Sequence, residues 1–275
     1  MSILAQQIKQ EASLTQHNQL VVGSYQSVTQ RKLSIVSASE SLHKQNHLLA
    51  AMTDSEWQQW APEMEEVDFT LNQVLHESGK TPAYMYFPTT AIVSLLYMMQ
   101  NGASSEVAVV GNDGVIGISL LLSGSDTPNQ ALVQSAGKGY RIRAQAAKNA
   151  ITRDGDMLNV LLRYSQAMMT QMTQTAVCNR HHSIDQQLSR RLLLSLDRLE
   201  TNQISMTHEM MAGMLGVRRE SVTDAALKLQ EAGVISYKRG SITVLDRESL
   251  EGRSCECYAI ARNEQVRLQK MTFNA

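Results

Sequence analysis

Met206–Val244 reads MTHEMMAGMLGVRRESVTDAALKLQEAGVISYKRGSITV, and its pattern decides the fold of the C-terminal third. Thr207 stands where its hydroxyl can cap a helix by accepting from the free N–H groups of the first turn. Met210, Met211, Met214 and Leu215 recur at helical spacing and mark a buried face. Ala212 is small where a second helix must cross closely. Gly216 sits where the chain reverses, a place for positive φ that glycine adopts cheaply. Val222 supplies the core contact of the next helix. This small–glycine–aliphatic spacing is a helix-turn-helix pattern. Arg218, Arg219, Glu220, Ser221 and Thr223 then place polar side chains on the first turn of the second helix, the part that meets base edges in the major groove. Gly233–Tyr237 and Ser241–Leu245 alternate as strands, and Lys238-Arg239-Gly240 between them forms a basic turn. A hairpin after a recognition helix is a wing.

CNRHHSIDQQLSRRLLLSLDRL from Cys178, MLGVRRESVT, YKRGSITVLDR and CECY complete the pattern. With these segments the chain resembles the Crp/Fnr family of bacterial transcription regulators over roughly residues 46–260, most specifically in its last third. The resemblance implies an α+β fold: an N-terminal β-roll (jelly roll) sensor domain, a long central dimerisation helix and a C-terminal winged helix-turn-helix. It further implies a non-enzymatic homodimer that binds a double-stranded DNA operator, with RNA polymerase as a candidate partner. Arg219 matches the family's recognition arginine, whose fork suits guanine O6 and N7. Glu220 matches the neighbouring acid, which can accept from cytosine N4. Ser221 and Thr223 suit phosphate or base, Thr207 joins the same surface, and Arg218, Lys238 and Arg239 suit phosphate. Asp224 departs from the pattern, because a basic residue commonly stands there and an acid repels phosphate. The alternative for these charges is a solvated face without a ligand.

The bulk properties bound the rest. The chain has 275 residues, enough for about two domains, with 43% hydrophobic and 19% charged residues. No apolar run approaches the roughly 20 residues of a membrane span, and MSILAQQIKQEAS lacks the pattern of a signal peptide, which predicts a cytoplasmic protein. A net charge of -1 makes no global case for nucleic acid, so the DNA-binding charge must be local. Cys178, Cys255 and Cys257 are too few for an ordinary four-thiolate iron–sulfur cluster. Cys255 and Cys257, one residue apart, make a poor start for a zinc site. They read as free thiols near a helix.

In chain order, residues 1–45 are rich in Gln, Ser and Asn and predict a flexible extension. Residues 46–153 predict the cyclic-nucleotide-binding-like β-roll, after helices carrying Trp57 and Trp60, which Asp54 is expected to cap and which read as core. Short apolar runs at 74–75, 84–87, 92–96, 107–110 and 131–133 alternate with turns, as in a jelly roll. Residues 154–180 predict the central helix. One stripe is Met157, Leu161, Tyr164, Met168 and Met172; another is Leu158, Leu162, Met169 and Val177. A helix apolar on two faces needs cover on both, and the first stripe is expected to be the dimer interface. Residues 181–253 predict the DNA-binding domain, opened by an amphipathic helix with Arg190, Arg191 and Arg198 on or near its polar side. Residues 254–275, with alternating charges and with Val266 and Leu268, read as a C-terminal tail, a terminal helix or a frayed end, without chemistry.

In the resembled family a Glu after a glycine binds the ribose of a cyclic nucleotide and an Arg binds its phosphate. Here Ile118 stands for the Glu, and Asn129 or Gln130 for the Arg. A buried phosphate without a cation loses several kcal/mol to desolvation, which argues against cyclic AMP. No cofactor is implied, and the residues name no effector. His76 is isolated, and His181 and His182 are adjacent and so cannot form an i,i+4 ligand pair. Cupin-like metal-binding or enzymatic β-roll proteins share the jelly roll, but the strands contain no His-x-His.

Overall fold

Local chemistry sets the first elements of the chain. The computed structural model describes residues 42–122, 126–153 and 155–273. The expected N-terminal extension lies outside them except for residues 42–45. Asn46 caps α1 (His47–Ala50) through its side-chain oxygen. Thr53, rather than Asp54, caps α2 (Asp54–Trp60), in a reciprocal capping box with Glu56. The correction is one of position: Asp54 already has helical geometry, and only the residue before it can turn its hydroxyl onto the Glu56 N–H. Trp60 is buried edge-on to Phe87, whereas Trp57 is half-buried and stacks on His43.

The β-roll follows as two antiparallel sheets. β1 (Met64–Phe69), β2 (Val74–His76), β3 (Tyr84–Pro88), β4 (Ile92–Met98) and β5 (Ser104–Val110) come before the short helix α3 (Ser119–Leu122). β6 (Asn129–Ser135), β7 (Gly137–Arg143) and α4 (Ala144–Arg153) come after it. One sheet runs β1-β7-β3 and the other β2-β6-β4-β5. β1 and β7 are strands that the apolar runs did not mark, since MEEVDF carries three acids and GKGYRIR mixes glycines with cations. The glycines of β7 are there for room: a Cβ on Gly139 would lie 2.4 Å from the Phe87 carbonyl oxygen of β3. β4 is buried along Ile92–Leu96 with no exposed alternate, because Ile92 and Leu96 also join the core of the DNA-binding domain. A strand covered on both faces reads as a continuous apolar run.

α5 (Gly155–His181) is the central helix, and a capping box between Ser183 and Gln186 starts α6 (Ile184–Leu196). The expected dimer face of α5 is corrected here. Met157, Leu161, Tyr164 and Met168 are at most 6% exposed within the single chain, and Met172 is half-buried. β5 and the C-terminal helix pack on α5, and Tyr164 donates to the Val115 carbonyl at 3.0 Å. The other stripe, Leu158, Leu162, Met169 and Val177, is 37–55% exposed.

The polar side expected for α6 is also absent, because the helix has no solvent face along most of its length. Arg190, Arg191 and Arg198 are at most 5% exposed. Arg191 reaches Glu106 of β5, with Nε 2.6 Å from Oε1 and Nη2 donating to Oε2 at 2.7 Å. It also contacts Gln134 and Ser195. Arg198 forks onto Asp113, with Nε–Oδ1 at 2.9 Å and Nη2–Oδ2 at 2.6 Å. These pairs join the last helix before the winged domain to the β-roll.

β8 (Gln203–Ser205), α7 (His208–Leu215), α8 (Arg219–Glu231), β9 (Ile235–Lys238) and β10 (Ser241–Val244) form the winged helix-turn-helix, its sheet running β8-β10-β9. α9 (Arg247–Arg253) follows. The C-terminus, expected as a terminal helix or a frayed tail, is a helix, α10 (Glu256–Phe273), which buries Ala261 and Leu268. Among the described residues, no helix is long and apolar enough to cross a membrane.

Candidate nucleic-acid interface

The Thr207 hydroxyl accepts from the Met210 N–H at 3.2 Å and starts α7. Gly216 ends that helix at φ 66°, ψ 33°, a left-handed conformation that only glycine adopts without cost. Gly216 and Val217 both donate to the Ala212 carbonyl, which fixes the turn. Met211, Ala212, Val222, Ala225, Ala226 and Leu229 are buried between α7 and α8. The register of that core sets which residues of α8 point out.

Arg218 is the residue before α8 and makes no capping bond with its side chain. Arg218, Arg219 and Glu220 are exposed, while Ser221 and Thr223 are half-buried. Among the described residues, neither Arg218 nor Arg219 has an ion-pair partner, nor do Lys238 and Arg239 on the wing. The structure thus gathers four uncommitted cations on the helix-turn-helix and wing of a chain whose net charge is close to zero. The Thr223 hydroxyl donates to the Arg219 carbonyl and meets His208 Nδ1 at 3.0 Å. Its contact role is therefore secondary to holding α8 against α7. His208 stacks on Tyr237 of β9 at 4.2 Å, a link that the sequence did not signal. Burial, and then the Arg219 charge, lower the His208 pKa, so the imidazole adds no charge near pH 7.

The wing turns through Arg239 at φ 49° and Gly240 at φ 80°. Positive φ suits Gly240, but at Arg239 it costs roughly 1–2 kcal/mol. Asn or Gly would fit that corner better, so the conformation is maintained with a cation at the tip. The Met206 N–H donates to the Gly240 carbonyl at 2.8 Å. β8, unmarked in the sequence because Gln203-Ile204-Ser205 holds a single apolar residue, adds a further strand to the wing.

In the β-roll, α3 occupies the place where the resemblance puts a nucleotide-binding helix. Ile118 is half-buried just before it. Gln130 donates to Glu77 at 2.7 Å, and Arg141 is held by Glu65 at 2.7 Å and lies 4.4 Å from the Tyr84 ring centre. His76 is buried, and burial lowers its pKa. The cysteines, expected as free thiols near a helix, are free, and all three lie together with His182 at the end of α5.

Residues 186–253 match the Crp-like helix-turn-helix domain. A comparison with curated proteins finds no match. Among solved structures, FixK2 from Bradyrhizobium japonicum superposes with a TM-score of 0.58 at 16% identity, over 70% of this chain and 98% of its own. A CRP/FNR-family transcriptional regulator from Thermus thermophilus gives 0.57 at 18% identity, over 69% and 98%. The c-di-GMP-responsive global regulator CLP of Xanthomonas campestris gives 0.54 at 12% identity, over 70% and 99%. The chain carries a Crp-like helix-turn-helix DNA-binding domain on the fold of the Crp/Fnr transcription regulators.

Proposed function

We propose that the protein is a sequence-specific regulator that binds operator DNA as a homodimer and senses something other than a cyclic nucleotide. The observation that carries the DNA reading is the set of exposed, unpaired cations at Arg218, Arg219, Lys238 and Arg239, set on a stiff helix-turn-helix and wing. Arg219 on the first turn of α8 reads bases, and the other three position the protein on phosphates. The exposed stripe of α5, not its buried one, pairs with a second copy: four large apolar side chains over five turns are costly to leave in water. Ile118, with Asn129 or Gln130, supplies neither the acid nor the cation that a cyclic nucleotide needs.

Arg219→Ala should cost about 1–3 kcal/mol of discrimination, weakening operator far more than random DNA. Lys238→Ala should weaken both alike and reduce the salt slope by about one unit. Once genome-wide mapping has supplied the operator, anisotropy titrations at several salt concentrations decide the matter. Equal losses on both duplexes for Arg219→Ala would refute base reading by this arginine.

A further inference from the structure

Away from the DNA-binding surface, four soft donors converge where α5 hands over to α6. Cys178 and His182 stand one turn apart, at the end of α5 and just beyond it, while Cys255 immediately precedes α10 and Cys257 lies in its first turn. Cys178 Sγ is 3.5 Å from Cys255 Sγ, and Cys257 Sγ is 3.6 Å from His182 Nδ1. All four donor atoms lie within 4.8 Å of one another. Tetrahedral zinc holds sulfur at about 2.3 Å and nitrogen at about 2.0–2.1 Å, which places its ligands about 3.5–3.8 Å apart. The spacing therefore encloses one ion. An iron–sulfur cluster would need room among the thiolates for several irons and sulfides. We propose that Cys178, His182, Cys255 and Cys257 hold a single zinc ion in a closed structural site.

Three further observations point the same way. His182 Nε2 lies 3.3 Å from Glu256 Oε1, so its N–H faces a carboxylate and its Nδ1 lone pair faces the sulfurs. That outer partner is the usual means of orienting a zinc-bound histidine. All three cysteines are buried, which leaves no open position for water or substrate and fits a structural rather than catalytic ion. The charges also balance. Arg190 is buried, has no carboxylate partner among the described residues, and its Nε makes no hydrogen bond, yet its charge acts on Cys178 and Cys257. Zinc with three thiolates and a neutral imidazole carries a net charge of minus one, which this guanidinium offsets. Loading is not a redox step: three S–H protons leave to solvent as three zinc–sulfur bonds form. Cys178 and His182 form an i,i+4 pair, which the adjacent His181 and His182 cannot.

The ion would pin the start of α10 to the junction between central helix and DNA-binding domain. Full-length protein, purified reduced and without chelator, should carry one zinc per chain by elemental analysis. Exchange for cobalt(II) should give the intense visible bands of a tetrahedral ion, with thiolate-to-metal charge transfer. Glu256→Gln should weaken metal affinity about 10–100-fold, and Cys257→Ser or His182→Ala by more. Should those ligand variants fail to fold, the unsubstituted protein still decides the matter. Reduced protein that neither carries zinc nor takes it up would overturn the site. So would an octahedral cobalt spectrum, a Cys178–Cys255 disulfide in fully active protein, or an iron–sulfur chromophore with inorganic sulfide. DNA affinity is read separately, so failure here leaves the DNA-binding proposal standing.

Discussion

Arg198→Met tests how the DNA-binding domain is held on the β-roll. The Arg198–Asp113 fork has both hydrogen bonds at 2.9 Å or less, with side chains only 3% and 11% exposed. The methionine keeps most of the stem that packs on Gly111 but removes the charge. Asp113 is then left buried with the Gly111 N–H, at 3.0 Å, as its recorded donor. Stranding one partner of a buried pair costs about 3–5 kcal/mol. Adding Asp113→Asn keeps an acceptor for Gly111 and removes the stranded charge, so the double variant should recover much of the loss. Urea titrations followed by tryptophan fluorescence and circular dichroism give the numbers. Both tryptophans, Trp57 and Trp60, report on the β-roll end, so in Arg198→Met the helical signal should fall before the fluorescence. A single-variant loss below about 1 kcal/mol, the range of exposed pairs, would refute the reasoning. Strict additivity of the two changes would do the same.

Other outcomes follow from the same contacts. Leu162→Glu and Met169→Glu should give folded monomers by sedimentation, whereas Leu161→Glu should fail to fold; unchanged dimers of both exposed-stripe variants would exclude that face. Arg239→Gly should raise the melting temperature, through relief of roughly 1–2 kcal/mol at the turn, while weakening operator and random DNA alike. Unchanged DNA affinity would remove the wing tip from the interface. Calorimetry should detect no saturable binding of cyclic AMP or cyclic GMP, and micromolar binding of either would show that Ile118 and Gln130 were wrongly placed.

The helix-turn-helix was legible because its constraints are local. Thr207, Gly216 and Val222 act on neighbours within a few residues, and the period of Met210, Met211, Met214 and Leu215 shows in one dimension. What escaped was set by partners far along the chain. Arg191 and Arg198 look like a solvated face until Glu106 and Asp113, each 85 residues away, are brought to them. Nothing in the sequence distinguishes those two acids: Glu106 borders the apolar run 107–110, and Asp113 sits in a glycine-bounded turn. The two stripes of α5 were visible, but which one faces inward depended on α10, and the alternating charges of residues 256–273 left helix and frayed tail equally open. The cysteines failed similarly: 77 residues separate Cys178 from Cys255.

The bond from Met206 to the Gly240 carbonyl ties the wing tip to the residue that precedes the Thr207 cap of α7. With β8 paired along β10, the hairpin is anchored at its tip and along its edge rather than projecting freely. Lys238 and Arg239 therefore have little backbone freedom left to lose when they meet a duplex. Ordering flexible segments is a principal cost of association, and here folding has already met it. Such a wing acts as a rigid gauge. It should fit duplexes whose backbone lies at one set distance from the recognition helix, and it should discriminate against DNA whose groove is too wide or too narrow, without touching a base.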